Sequence, residues 1–210
     1  MFVQEQGFHG RKNNTIEETD MLMVVDIGNT NTVVGLYHGN DLLRDFRIYT
    51  DPRRTCDEYG SIILSLFRDS GIVPSTIEKA IVSSVVPTLN NTFVHMMQQI
   101  TGKVPLMLGP SLYRLLPVRV PESAVHEIGT DIVCNAVVAY TSYKSACIVI
   151  DFGTALTFTA INNSGLIQGI AIAPGLGTAV KALFRDTAQL PLVPLKVPPS
   201  SLGTNTIDSI

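Results

Sequence analysis

Val24-Val25-Asp26-Ile27-Gly28-Asn29-Thr30-Asn31-Thr32-Val33-Val34-Gly35-Leu36 runs as an apolar strand into a carboxylate, turns through small polar residues around Gly28, and returns as a second apolar strand. These residue types suit a hairpin that grips phosphate. Gly28 lets the backbone approach a ligand closely, and Asn29, Thr30, Asn31 and Thr32 supply amides and hydroxyls where successive N–H groups can form an anion-binding concavity. Asp26 would repel a phosphate on its own; its natural role is to hold a hydrated divalent cation against the phosphates. Taken alone, the same stretch also reads as an ordinary Asn/Thr-rich turn between edge strands.

The pattern returns later in the chain. Ile148-Val149-Ile150-Asp151-Phe152-Gly153-Thr154-Ala155-Leu156-Thr157-Phe158 again carries an apolar strand into Asp, with glycine two positions on, threonine next, and a returning strand. Asp151 lies 125 positions after Asp26. Duplication of one unit is the economical explanation, each half offering a phosphate-facing hairpin to a shared cleft.

Bulk properties narrow the partners. The 210 residues can bury a real core as one domain or two small lobes, and a 45% hydrophobic, 16% charged composition is that of a globular chain. A net charge of −3 leaves no basic footprint for nucleic acid or an anionic membrane, so a small-molecule partner is expected. No apolar run is long enough to span a bilayer. The three cysteines, Cys56, Cys134 and Cys147, are widely spaced and form no metal-ligating pattern, which fits a reducing cytoplasm. Residues 1–20 are polar and lack the apolar core of a secretory signal; they read as a disordered extension, with Met21 a candidate start of the fold.

Between and after the hairpins, strands alternate with helices, which predicts an α/β layer fold with partly parallel pairing. Residues 45–49 read as a strand. Thr55 and Glu58 form a capping box opening a helix whose apolar face is Tyr59, Ile62, Ile63, Leu66 and Phe67 and which Gly71 stops. Residues 80–86 read as a buried strand ended by Pro87, residues 88–101 as a helix closed by Gly102, and residues 104–108 as a short strand. Residues 116–126 have extended character, and a helix follows Gly129-Thr130-Asp131. After the second hairpin come a strand over residues 166–172, a helix over about 178–187 with Val180, Leu183 and Phe184 facing inward, a rigid Pro-rich stretch over 191–199, and a turn at 200–207 that starts a helix. The expected organisation is an extension over 1–20, one lobe over 21–115 and a second over 116–210, unusually short or lacking its last elements.

Four segments in order, Asp26 to Thr32, Gly129-Thr130-Asp131-Ile132, Asp151 to Thr157, and Ile172-Ala173-Pro174-Gly175, resemble the motif series of the type III pantothenate kinases, within the acetate and sugar kinase, heat-shock ATPase and actin superfamily. The resemblance implies two ribonuclease-H-like lobes of mixed sheet flanked by helices, with a nucleotide cleft between them. It implies ATP-dependent phosphorylation of pantothenate to 4'-phosphopantothenate, the first step of coenzyme A biosynthesis, with ATP, Mg2+ and K+ or NH4+, in a homodimer. By the same resemblance Asp26, Ile27, Gly28, Asn29, Thr30, Asn31, Thr32 and Thr154 bind the nucleotide, and Asp151 holds the monovalent cation. Asp131 is the catalytic base on the primary hydroxyl of pantothenate, and Gly129, Thr130, Asp131, Ile132 and Thr206 meet the substrate. Blander readings stand beside these roles. Asp131 can cap a helix, Asp151 can accept backbone amides at a strand end, Gly175 can be purely structural, and Thr204 or Thr206 can be a helix cap.

The sequence departs from the family pattern at three places. Glu122-Ser123-Ala124-Val125 stands where the family has Tyr-x-Asn-Pro, Ile132 replaces the arginine after the base, and Leu156 replaces a threonine. Losing an arginine and an aromatic removes a carboxylate partner and a packing wall for pantothenate. These changes motivate a second expectation, a non-catalytic nucleotide-binding accessory protein of the same fold.

Overall fold

The computed structural model describes residues 20–210; the extension expected over residues 1–20 lies, Asp20 apart, outside the described residues. Two compact units are distinguished by their internal contacts. One runs to Leu116 and includes Glu122–Asn135; the other comprises Pro117–Pro121 and Ala136–Ile210.

The first unit is a five-stranded mixed sheet flanked by helices. Strands β1 (Met21–Ile27), β2 (Asn31–His38), β3 (Asp41–Tyr49), β4 (Ile77–Ser84) and β5 (Leu106–Met107) lie in the order β3-β2-β1-β4-β5. β1 pairs antiparallel with β2 and parallel with β4, and β2 pairs antiparallel with β3. Met21, Met23, Val25 and Ile27 alternate into the core along β1, the period of two that a strand imposes. β3 begins four residues before the expected strand, because the β2–β3 ladder extends back to the turn at Gly39, whose φ of 58° suits glycine. Irregular register falls between Met21 and Leu22 in the β1–β4 pairing and between Leu36 and Tyr37 in the β2–β3 pairing.

Helices α1 (Cys56–Asp69) and α2 (Pro87–Thr101) pack against each other and close the core. The capping box is present: the Thr55 hydroxyl accepts from the Glu58 N–H and the Glu58 carboxylate accepts from the Thr55 N–H. The Tyr59 and Phe93 rings meet at 4.7 Å across the helix pair, and both side chains are fully buried. Such ring pairs add about 0.5–1.5 kcal/mol beyond their area. α2 ends at Gly102 with φ 73°, the left-handed cap that glycine supplies. A four-residue helix, α3 (Pro110–Tyr113), follows β5, and α4 (Thr130–Tyr143) contributes its first turns to this unit. The extended reading of residues 116–126 is corrected in part, since Glu122–Ala124 forms a turn of 3₁₀ helix.

The second unit is built on three antiparallel strands, β6 (Cys147–Phe152), β7 (Ala155–Ile161) and β8 (Ile167–Pro174), in that order. Residues 117–121 join it because the Arg119 N–H donates to the Gly165 carbonyl and the Ile167 N–H donates to the Arg119 carbonyl, at 2.8 and 3.0 Å. Helix α5 (Leu176–Asp186) places Val180 against the unit, but Leu183 and Phe184 are 41% and 51% exposed, so the expectation that all three face inward is corrected. The three positions do share one helical face. The helix meets β7, and Leu183 lines an open cavity with Leu190 and residues 203–206, so the second turn is only partly covered. The Pro-rich stretch is irregular, and a last short helix, α6 (Thr206–Ser209), is capped by Asn205, whose side-chain oxygen accepts the Asp208 N–H. Neither Thr204 nor Thr206 is the cap, because the amide oxygen of Asn205 already fills that place.

Candidate active site

In a parallel pair, both strands deliver their carboxyl ends to the same edge of the sheet, the edge where α/β proteins gather ligand-binding residues. β1 and β4 do this with Asp26 opposite Ser83 and Ile27 opposite Ser84. The Asp26 side chain is exposed between buried Val25 and Ile27, so strand alternation turns the carboxylate outward. Gly28 begins the turn; its N–H donates to the Asn31 carbonyl at 3.1 Å, and a Cβ there would sit 3.0 Å from that oxygen. Asn29 and Thr30 are exposed at the tip and Asn31 is half-buried at the start of β2.

Thr32 is different. It is fully buried, and its hydroxyl bonds that of buried Thr50 at 2.9 Å. Its side chain therefore braces the hairpin from within. Ile27 is likewise a core residue and can meet a ligand only through its backbone.

The Gly129–Ile132 segment joins the same edge of the first unit. Thr130 opens α4, and its hydroxyl lies 2.9 Å from that of Ser83, 3.0 Å from the Ser84 N–H nitrogen and 3.1 Å from the Ser84 carbonyl oxygen. Asp131 follows in the first turn of α4, with Oδ1 accepting the Ile132 N–H at 2.8 Å. That bond ties the carboxylate to the helix N-terminus, and an ionised carboxylate keeps further lone pairs for other partners. Cys134, one turn further on, senses the group as a whole: burial pushes its thiol up, a hydrogen bond from Ser83 works against this, and the Asp26 and Asp131 carboxylates push it higher. Asp26 and Asp131, more than a hundred residues apart in sequence, thus act on one thiol.

Tyr113 also belongs to this group. Burial raises its phenol, and the Cys134 and Asp131 charges add to that. Neither Tyr113 nor Ser83 was singled out from sequence. The signal available for Ser83 was a polar pair, Ser83-Ser84, ending an apolar strand; Tyr113 offered none, being a single aromatic on a four-residue helix.

The second hairpin is organised like the first. Asp151 is the penultimate residue of β6, as Asp26 is of β1, and the Gly153 N–H donates to the Ala155 carbonyl at 2.9 Å. Its turn is one residue shorter. Thr154 is exposed, and its carbonyl accepts both the Gly175 N–H at 3.0 Å and the Thr178 hydroxyl at 2.7 Å. Gly175 is a close-approach glycine: a Cβ there would collide with the Gly153 carbonyl oxygen and stand 2.7 Å from that of Thr154. Thr206 is exposed at the start of α6 in the same unit.

The sequence profile of the type III pantothenate kinases matches residues 22–210. The chain belongs to this family. A type III pantothenate kinase from Treponema pallidum (strain Nichols) is 48% identical over 193 residues, covering 90% of this chain and 71% of the relative. One from Geobacter sulfurreducens is 41% identical over 190 residues, covering 90% and 74%. Among solved structures, a Campylobacter jejuni protein described as a Baf family transcriptional activator superposes with a TM-score of 0.52 at 16% identity, over 89% of this chain and 70% of that one; at this identity the likeness bears on fold alone. The family assignment sets the departures in place. Glu122 is exposed on its 3₁₀ turn, while Ile132 stands next to Asp131 and gives it a backbone hydrogen bond but no cation.

Proposed function

We propose that the chain catalyses ATP-dependent phosphorylation of pantothenate to 4'-phosphopantothenate, the first step of coenzyme A biosynthesis. The observation that carries this reading is the grouping of Asp26 and Asp131 around Ser83, Thr130 and Cys134 at the carboxyl ends of β1 and β4, in a chain of this family. One carboxylate suits a cation-bound phosphate and the other suits an alcohol proton. Asp131 accepts the proton of the primary hydroxyl as its oxygen attacks the γ-phosphorus; the bond from that phosphorus to the bridging oxygen breaks and ADP leaves. Phosphoryl transfer asks the protein chiefly for positioning and charge neutralisation.

The donors fit a divalent cation of the magnesium type. Among the described residues no three His, Cys, Asp or Glu side chains converge on a metal cage. A cation held through Asp26 would thus keep water and phosphate oxygens as its other ligands, the habit of Mg2+. When bound it supplies neutralisation of phosphate charge. The backbone of residues 28–31 and Thr154 are the phosphate contacts in this reading, and Asp151 holds K+ or NH4+. Gly129, Ile132 and Thr206 lie along the pantothenate contact. The kinase works as a homodimer in the cytoplasm, a compartment that the three free thiols support.

A coupled assay of ADP release with pantothenate, Mg2+ and K+ tests the reading. Pantothenate-dependent turnover is expected, reduced when K+ is replaced by Na+. Asp131→Asn should lower kcat by about 10²–10⁴-fold while nucleotide binding persists. Nucleotide binding without pantothenate-dependent ADP release, even at millimolar substrate, would overturn it in favour of an accessory protein.

A further inference from the structure

We propose that Thr130 is a positioning residue for Asp131 and offers its side chain to no substrate, with Ser83 and Gly129 completing the same device. This rests on the reading of Asp131 as the base.

A threonine hydroxyl has one hydrogen to give and two lone pairs to receive. At Thr130 the hydroxyl meets three groups of the protein: it accepts the Ser84 N–H, lies 3.1 Å from the Ser84 carbonyl oxygen, and shares a 2.9 Å hydrogen bond with the Ser83 hydroxyl in which either oxygen can give the hydrogen. Thr130 and Ser83 are 9% and 7% exposed, so water does not replace these partners readily. A buried hydroxyl with these three partners is satisfied within the protein and needs none from pantothenate. What it does is fasten the first residue of α4 to the carboxyl end of β4, opposite Asp26 on β1, which fixes the start of the helix that carries Asp131.

Gly129 completes the arrangement from the other side. Its φ lies outside the left-handed region, so its glycine is not demanded by backbone conformation. Space demands it: a Cβ at Gly129 would collide with Oδ1 of Asp131, with Val85 Cγ1 next at 3.4 Å. The carboxylate therefore lies over the glycine, held there by the Ile132 N–H. An alanine would move the end of a flexible side chain and leave the backbone and the Thr130 bonds in place.

The test is steady-state kinetics of pantothenate phosphorylation on the whole chain. Thr130→Val should lower kcat by about 10²-fold, the cost of a small misplacement of a reacting group, with KM for pantothenate within about twofold. Thr130→Ser, which restores the hydroxyl, should recover most of kcat. Gly129→Ala should lower kcat in the same way with ATP affinity unchanged, and it decides the matter if Thr130→Val fails to fold. A raised KM with unchanged kcat in Thr130→Val would make Thr130 a substrate contact and overturn the proposal; so would wild-type kcat in Gly129→Ala. Asp131→Asn separates the two levels. Turnover surviving that change refutes the base reading itself, whereas an inactive Asp131→Asn beside a fully active Gly129→Ala refutes only the positioning device.

Discussion

Replacing Thr32 by valine isolates what the first hairpin needs for folding from what it needs for binding. The Thr32 and Thr50 hydroxyls bond at 2.9 Å, with the two residues 0% and 3% exposed. Valine keeps the shape and strands the Thr50 hydroxyl without its partner, which costs about 1–3 kcal/mol; removing both hydroxyls is far cheaper, because no polar group is left unpaired. Thr32→Val should therefore destabilise by about 2 kcal/mol, and Thr32→Val with Thr50→Val should recover much of that, giving a coupling of the same order in a double-mutant cycle. In urea, with a slope of about 2 kcal/mol/M, the single variant's midpoint falls by about 1 M at unchanged slope. ATP affinity, measured calorimetrically on the folded variants, should stay as in the wild type. Equal midpoints for wild type and Thr32→Val, or a double variant no more stable than the sum of the singles, would refute the buried brace. Loss of ATP binding at unchanged stability would instead make the Thr32 hydroxyl a phosphate contact.

Three further outcomes can be checked. Gly175→Ala should loosen the start of α5 from the second hairpin, destabilising the second unit by about 1–3 kcal/mol as overpacking does, seen as faster proteolysis around residues 175–187; unchanged proteolysis would show that the backbone absorbs the methyl. The Arg53 guanidinium, by hydrogen bonding, holds Asp51 down to about 2 from an ordinary 3.8. With the folded value depressed, its stabilisation is complete above 3.8 and is lost as pH falls towards 2, so Arg53→Met should raise the acid-unfolding midpoint slightly within that window, and superimposable acid curves would count against the ion pair; the exposed setting keeps the effect small. Asp131→Asn removes a negative charge acting on Cys134, so the thiol should titrate lower and alkylate faster near neutral pH; an unchanged alkylation rate in that variant would separate Cys134 from Asp131.

Much of the frame was legible because it depends on local chemistry. The Thr55–Glu58 capping box, the left-handed glycine at 102 and the alternation along β1 each announce themselves within a few residues. Both Asp-x-Gly hairpins were legible for the same reason. Non-local placement was not. Nothing in residues 122–135 says that they pack with the first unit, because the bonds responsible run from Thr130 to Ser83 and Ser84, 47 and 46 positions away. The sequence likewise could not divide the hairpin's threonines into those at the tip and the one in the core, since Thr30 and Thr32 share a strand face by period and differ through Thr50, which meets Thr32 across the sheet. For α5 the periodicity put Val180, Leu183 and Phe184 on one face, but only Val180 is buried, because burial depends on what the rest of the chain brings to that face.

The first sheet keeps its irregularities at one end. Its two breaks in register, at Met21/Leu22 and Leu36/Tyr37, lie at the edge away from Asp26 and Ser83, and the tight turn at Gly39 lies there too. A strand that slips by one residue exchanges its two faces, so an unbroken ladder from Leu22 to Ile27 works as a ruler that delivers Asp26 outward beside Ser83. Length changes are best absorbed where the ruler is already broken. Residues 38–41 are therefore the place to splice in a tag or a reporter loop, while a single insertion within residues 22–27 or 79–84 would turn the site's side chains into the core.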